Sequence, residues 1–156
     1  MKKIYASVFM AALLAFGAIA CAAPSDDVQP QTTVAMRIGS PIMTVNGEER
    51  SIDEQGTAPI AVDGRTLLPV RAVIEAVGGT VSWDQDTQSV FIGCDGTLIS
   101  LQLGSASAFV NEELHTLDVA PVAIDGRTML PIRFIAESLD FSVDWDGETQ
   151  TVTITK

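Results

Sequence analysis

An internal repeat constrains this chain more than any other feature of its sequence. Residues 59–92 (PIAVDGRTLLPVRAVIEAVGGTVSWDQDTQSVFI) align without a gap with residues 121–154 (PVAIDGRTMLPIRFIAESLDFSVDWDGETQTVTI). The identical positions include whole segments such as DGRT and WD, which indicates a duplication. Short repeat units bury little apolar surface alone and rely on a neighbouring unit for their core.

The repeat extends upstream in a looser form. The segment IMTVNG at residues 42–47 precedes the first copy, and AFVNE at residues 108–112 precedes the second. The linker that follows is three residues longer in the first unit, within residues 53–58, as is typical of a surface loop. The two units therefore span residues 36–92 and 98–154.

Strand and turn signals dominate the first part of each unit. Residues 36–45 have β character, and the Asn46-Gly47 pair that follows is a two-residue hairpin signal. The apolar segments at residues 60–62 and 66–68 flank Asp63-Gly64, which predicts a second hairpin. The V-x-WD segments predict further strands late in each unit.

One short helix is predicted between these strands. Pro69 suits a first helical turn, an apolar stripe with helical spacing runs from Val70 to Val77, and Gly78 is a helix stop. Asp140 replaces that glycine in the second unit. We therefore expect an α+β fold of two tandem repeats, each of β-hairpins plus one short helix packed on a sheet, sharing one core.

The N-terminus has the pattern of an export signal. Two lysines, a nearly continuous apolar run and several small residues predict a signal peptide at residues 1–20; the alternative is an uncleaved membrane anchor. The tetrapeptide before and including Cys21 resembles the lipidation motif of bacterial lipoproteins, although ordinary cleavage fits as well. Residues 21–35 then form a polar tether, and residues 36–156 form the folded domain.

The chain that follows the predicted signal, residues 21–156, is strongly acidic. The chain has nine basic and twenty acidic residues; without the two signal lysines the balance is seven against twenty, a net charge of −13. Such a charge disfavours nucleic acid and anionic membranes as partners. Cys21 and Cys94 are the two cysteines, and a disulfide between them is conceivable only if Cys21 stays unmodified.

The combination of GRT, LPVR or LPIR, a helical Glu and V-x-WD, present twice at these spacings, resembles the copper amine oxidase N-terminal-like domain. This domain is the stalk module of many exported proteins of Gram-positive bacteria. The resemblance implies an accessory, non-catalytic module whose ligand is not established. It does not imply copper, because a copper amine oxidase site needs three His and a Tyr, whereas this chain has one His, His115, and its one Tyr, Tyr5, lies in the signal.

The repeated arginines and tryptophans are the candidate ligand-binding residues. An Arg can pair with a carboxylate or a phosphate through two parallel hydrogen bonds, and an exposed Trp can stack on a sugar. The structural alternative for the arginines is an ion pair, of Arg71 with Glu75 or of Arg65 with Asp84, and likewise in the second unit. The structural alternative for each Trp is burial under the helix. The structural alternatives are the expected ones. The candidates are Arg65, Arg71, Arg127, Arg133, Trp83 and Trp145, with Cys21 as the candidate lipidation site.

Other chemistries receive little support from the sequence. Acidic residues gather at two turns, at residues 84–86 and 146–148, but without the spacing of a calcium loop. Glu75 and Glu137 have no accompanying nucleophile, and His115 is isolated, so we predict no enzyme, cofactor or metal.

The sequence thus predicts a non-catalytic exported module of the cell envelope with a stalk or display role. The alternative is a module that binds glycan, peptidoglycan or peptide through the repeated Arg and Trp residues. The expected location is the outer face of the cell membrane as a lipoprotein, or the cell wall or medium after secretion. Expected partners are a cell-wall polymer or another envelope protein, with membrane contact only through a lipid anchor and no nucleic acid.

Overall fold

The computed structural model describes residues 30–156. The first unit forms β1 (Thr33–Arg37), β2 (Ile42–Val45), β3 (Glu48–Ser51), β4 (Ile60–Val62), β5 (Arg65–Pro69), α1 (Val70–Ala76), β6 (Thr80–Asp84) and β7 (Ser89–Cys94). The second forms β8 (Thr97–Gln102), β9 (Ser107–Val110), β10 (Glu113–Thr116), β11 (Val122–Ile124), β12 (Arg127–Pro131), α2 (Ile132–Ser138), β13 (Ser142–Asp146) and β14 (Thr151–Thr155). Cys21 and the predicted signal lie outside the described residues.

The fold is mostly β, and the prediction of an α+β fold is wrong. Each helix has seven residues, about two turns, whereas three sheets carry the rest of the regular structure. Several strands have no strand pattern of their own: Glu48–Ser51 is exposed throughout and is a strand because β2 pairs with it. The boundary of the predicted tether also changes. Because β1 begins at Thr33, the last residues of the tether belong to a sheet.

The predicted turns are confirmed. Asn46 and Gly47 have φ of 52° and 84° between β2 and β3, and Asp63 and Gly64 have φ of 49° and 73° between β4 and β5. Positive φ at both central residues is the hairpin turn whose twist matches that of its strands. The sequence pattern therefore located the hairpins correctly.

The two short helices begin and end as predicted. Each starts directly after a proline that ends a strand, Pro69 or Pro131. Gly78 follows α1 with φ of 84°, and Asp140 takes the same role after α2 with φ of 59°. No helix within residues 30–156 is long and apolar enough to cross a membrane.

The two units exchange strands to build the outer sheets. Sheet 1 has the order β13-β14-β1-β2-β3, and sheet 2 has the order β10-β9-β8-β7-β6. Each sheet thus combines the last two strands of one unit with the first three of the other. The β1–β14 pairing brings the end of the chain beside Thr32, whose carbonyl accepts a hydrogen bond from the Lys156 amide at 2.9 Å.

A third sheet joins the units at a local two-fold axis. Its order is β11-β12-β5-β4, and β5 pairs antiparallel with its own repeat, β12. In that register Leu68 lies opposite Leu130, its counterpart in the repeat, and both are fully buried. The core around this axis is one cluster that includes both helices and all three sheets.

Candidate functional site

Two clefts lie at positions related by the two-fold axis. The first has a volume of about 600 Å³ and the second about 490 Å³, both in the size range of small-ligand sites. Trp83 and Arg71 of the first unit line the first cleft together with Arg127 of the second unit. Trp145 and Arg133 line the second cleft together with Arg65 of the first unit. Each cleft is therefore assembled from both units.

The two clefts are one site built twice. Every residue that lines the second cleft has its repeat counterpart in the first. The matched polar and aromatic positions (first cleft, then second) are Trp83 and Trp145, Arg71 and Arg133, Arg127 and Arg65, Gln88 and Gln150, Asp53 and Asp118, and Thr128 and Thr66.

The expectation of buried tryptophans is wrong. Trp83 is 40% exposed and Trp145 is 45% exposed. Trp83 lies opposite buried Val90, on the side of β6 that faces the core, but β6 is an edge strand and α1 is too short to cover it. The Trp side chain therefore extends past the core into the cleft.

The cross-unit arginines pair with different acids from those predicted. Arg65 contacts Asp118 at 2.9 Å rather than Asp84, and Arg127 contacts Asp53 at 2.9 Å. Both are contacts between one unit and the other, and both lie at a cleft wall. The sequence did not indicate them because Asp53 and Asp118 belong to the linkers, which differ in length.

Asp53 is held much more firmly than its counterpart. Its side chain is 15% exposed, against 72% for Asp118, and it accepts backbone hydrogen bonds from Gln55 at 2.9 Å and Thr57 at 3.0 Å. Burial opposes its ionisation, but hydrogen bonds from Thr57, Arg127 and Gln55 outweigh that effect and hold the pKa of Asp53 well below its usual range. The first cleft therefore has the more rigid wall.

Asp53→Asn is expected to lower the free energy of unfolding at pH 7 by about 1–2 kcal/mol, because a charged hydrogen-bond acceptor is lost. A lowered pKa in the folded state means that this stabilisation is present above the unfolded pKa of about 4 and is lost as the pH falls below it. Urea titrations at several pH values measure this: the wild type should lose more stability on acidification than the variant. Asp118→Asn is the matched control and should change little, since an exposed pair contributes little. Equal effects of both variants would contradict the prediction.

The two helix arginines are available to a ligand. Arg71 lies 3.8 Å from Glu75, as predicted, but both side chains are more than half exposed, so the pair is weak. Within residues 30–156, Arg133 forms no ion pair shorter than 4 Å, so the predicted pair with Glu137 is not formed.

Gln88 and Gln150 were missed as site residues. They are the last residues of the turns before β7 and β14, with φ of 52° and 54°, and they line the two clefts. Their duplication was visible in the sequence. A repeated Gln in a turn does not by itself indicate a binding site, and only the structure places it beside the Trp and Arg residues.

The remaining acidic and metal-ligating candidates do not converge. Asp84 accepts hydrogen bonds from Thr87 and Asp86, which lower its pKa and turn its oxygens toward its own loop. His115 packs edge-on against Phe134 at 6.0 Å between ring centroids. Within the described residues no group of three His, Cys, Asp or Glu could hold a metal ion, so the residues present do not fit copper.

Comparison with known proteins identifies the family. The sequence model of the copper amine oxidase N-terminal domain matches residues 54–154, in agreement with the resemblance seen in the repeats. A relative named protease inhibitor, from Brevibacillus choshinensis, is 25% identical over 113 residues, which are 70% of this chain but 33% of that protein. The chain thus spans about a third of the relative's length. Because the family model covers well over half of it, the chain belongs to the copper amine oxidase N-terminal domain family.

Proposed function

We propose that this chain is a non-catalytic interaction module of the cell envelope that binds a carboxylate-bearing saccharide, such as a cell-wall glycan, in two equivalent clefts. The observation that supports this is the convergence of Trp, Arg and Gln at both clefts, from repeat positions that lie far apart in the sequence. An exported location, with or without a lipid on Cys21, is part of the proposal.

The chemistry of each cleft suits a saccharide. A half-exposed indole offers a flat apolar face on which a sugar ring can stack, while Gln88 or Gln150 supplies donors and acceptors for hydroxyl groups. Arg71 and Arg133 supply planar guanidinium groups that pair with a carboxylate in two parallel hydrogen bonds. The second cleft has two arginines and one acid, so its lining favours an anionic group. In the first cleft Glu75 and Asp53 offset Arg71 and Arg127, so the preference for an anion is weaker there.

The proposal predicts two binding sites per chain. Isothermal titration with a soluble muramyl oligosaccharide should give a stoichiometry near two. Trp83→Ala should remove the site in the first cleft and Trp145→Ala the other, so each variant gives a stoichiometry near one, with affinity at the altered cleft reduced roughly tenfold or more. The double variant should no longer be retained on purified cell wall.

The control is Phe109→Ala, which removes an aromatic side chain of similar exposure outside both clefts. It should leave stoichiometry and wall retention unchanged. Arg71→Ala with Arg133→Ala should weaken the acidic saccharide more than a neutral chito-oligosaccharide. If the wild type binds neither sugar nor wall, the saccharide proposal fails, and a spacer role remains.

The name of the Brevibacillus relative raises protease inhibition as a second candidate. The test is to add the purified chain to a panel of exported proteases. Inhibition that persists in the Trp83→Ala, Trp145→Ala double variant would assign that activity to a different surface.

A further inference from the structure

The outer face of sheet 2 carries a row of uncharged side chains, three of which are large and apolar. The strand registers place Ser82, Phe91, Ser100, Phe109 and Leu114 side by side across all five strands. Phe109 is 47% exposed and Leu114 is 62% exposed. Leu98, 52% exposed, extends the row along β8. This set of Leu98, Phe91, Phe109 and Leu114 is called the apolar face below.

The apolar face is separate from the core. In β7, Val90, Ile92 and Cys94 are the buried residues, so Phe91 lies on the opposite side of the strand. The first cleft lies on that same buried side, where Val90 and Val81 contribute to the lining. The residues of the apolar face are therefore not needed for the core or for the proposed saccharide sites.

The repeated fold supplies an internal comparison. On sheet 1 the matching row across the strands is Asp144, Thr153, Ala35, Thr44 and Glu49. Thr44 thus stands where sheet 2 has Phe109, and Glu49 stands where it has Leu114. Among the described residues, Ile42 is the one large exposed apolar side chain on the outer face of sheet 1, since the exposed Trp145 lies on the inner face, opposite buried Val152. The same arrangement of strands therefore folds with a polar outer face, so the fold itself does not require the apolar residues of sheet 2.

We propose that two copies of the chain associate reversibly through the apolar face, with sheet 2 of one copy stacked on sheet 2 of the other. The row contains no charged side chain, although the chain as a whole has a net charge of −11, so an ionic partner would find nothing to pair with. Two copies of an uncharged apolar face can pack against each other across a two-fold axis, because the same surface is then buried on both copies. Stacked sheets pack about 10 Å apart with such side chains between them.

The size of the face sets the strength of the association. Five strands about 4.8 Å apart and about 17 Å long cover roughly 400 Å² on each copy, or about 800 Å² in total, which is below the size of stable interfaces and typical of weak, transient ones. The association should therefore be reversible and visible only at high protein concentration. Because two acidic copies repel each other, added salt should strengthen it by screening that repulsion.

Sedimentation velocity of the full chain from about 5 to about 500 μM, at low and high salt, tests the proposal. The wild type should pass from monomer to dimer as concentration rises, and at lower concentration in high salt. The variant Phe109→Thr with Leu114→Glu carries the residues that sheet 1 has at the matching positions, so it should fold and stay monomeric. Ile42→Ser, which gives sheet 1 the serine found at the matching position of sheet 2, is the control and should dimerise like the wild type.

Two results would overturn the proposal. One is a wild-type chain that stays monomeric at about 500 μM in high salt. The other is a dimer that survives Phe109→Thr with Leu114→Glu, since the copies would then meet elsewhere. Circular dichroism melts of each variant separate lost association from lost folding. The Trp83→Ala, Trp145→Ala variant should still dimerise, which keeps this result independent of saccharide binding.

Discussion

Leu68→Ala is expected to lower the free energy of unfolding by about 3–5 kcal/mol, a large part of the stability of a domain of this size. Leu68 is fully buried and lies opposite Leu130, where β5 and β12 pair across the two-fold axis. The truncation removes apolar contacts and leaves a cavity at the point where the two units meet. The two helices pack against β5 and β12 and limit how far the surroundings can collapse into the cavity.

Urea unfolding measures this loss. Leu130→Ala should lower the free energy of unfolding by a similar amount. The loss in the double variant should differ from the sum of the two single losses, because the side chains are neighbours. Leu114→Ala is the matched control: the same truncation at a side chain that is 62% exposed should cost less than about 0.5 kcal/mol. A cost below about 1 kcal/mol for Leu68→Ala would show that the axis is not the centre of the core.

Cutting the chain between its units is expected to abolish folding of either half. Residues 30–95 would retain β6 and β7 as a two-stranded remnant of sheet 2 and would lose β13 and β14 from sheet 1. An isolated hairpin is marginal in water, and a half of about 60 residues buries too little surface to compensate. Each fragment should give the circular dichroism of an unfolded chain, and equimolar mixing should restore the β signal.

A circular permutant is the control for the cut. It begins at Gly96, joins Lys156 to residue 30 through a short linker, and ends at Asp95, so it has the same break but keeps all strand pairs in one chain. Because Lys156 and Thr32 are already hydrogen-bonded neighbours, the permutant should fold. A cooperative thermal transition in either isolated fragment would contradict the prediction and would mean that a unit is an independent domain.

The hairpins and helices were predictable from local sequence because their causes are local. Asn-Gly and Asp-Gly pairs prefer positive φ, and Asn46-Gly47 and Asp63-Gly64 adopt it here. The spacing of the apolar residues after Pro69 is that of one face of a helix. The fold class was not predictable in this way. Strands such as β3 exist because another strand pairs with them, and their own residues carry no alternation of apolar and polar side chains.

The candidate site was likewise predictable from the sequence only in part. The repeated Arg and Trp residues were recognised as candidates from their duplication alone, but their surroundings were assigned wrongly. Trp83 was expected in the core, and its exposure depends on β6 being an edge strand that a seven-residue helix does not cover. Arg65 was expected beside Asp84 in its own unit, whereas strand exchange places it against Asp118 in the other.

The sequence by itself determined that this chain is a duplicated unit of a known family and which residues are repeated, since both are properties of residue order. It also determined the turns, because backbone conformation at Asn-Gly and Asp-Gly pairs is a local preference. Only the tertiary structure decided how the two copies combine. Strand exchange between the units is set by long-range pairing and shared burial, and it is that exchange which brings Trp83 of one unit to Arg127 of the other in a single cleft.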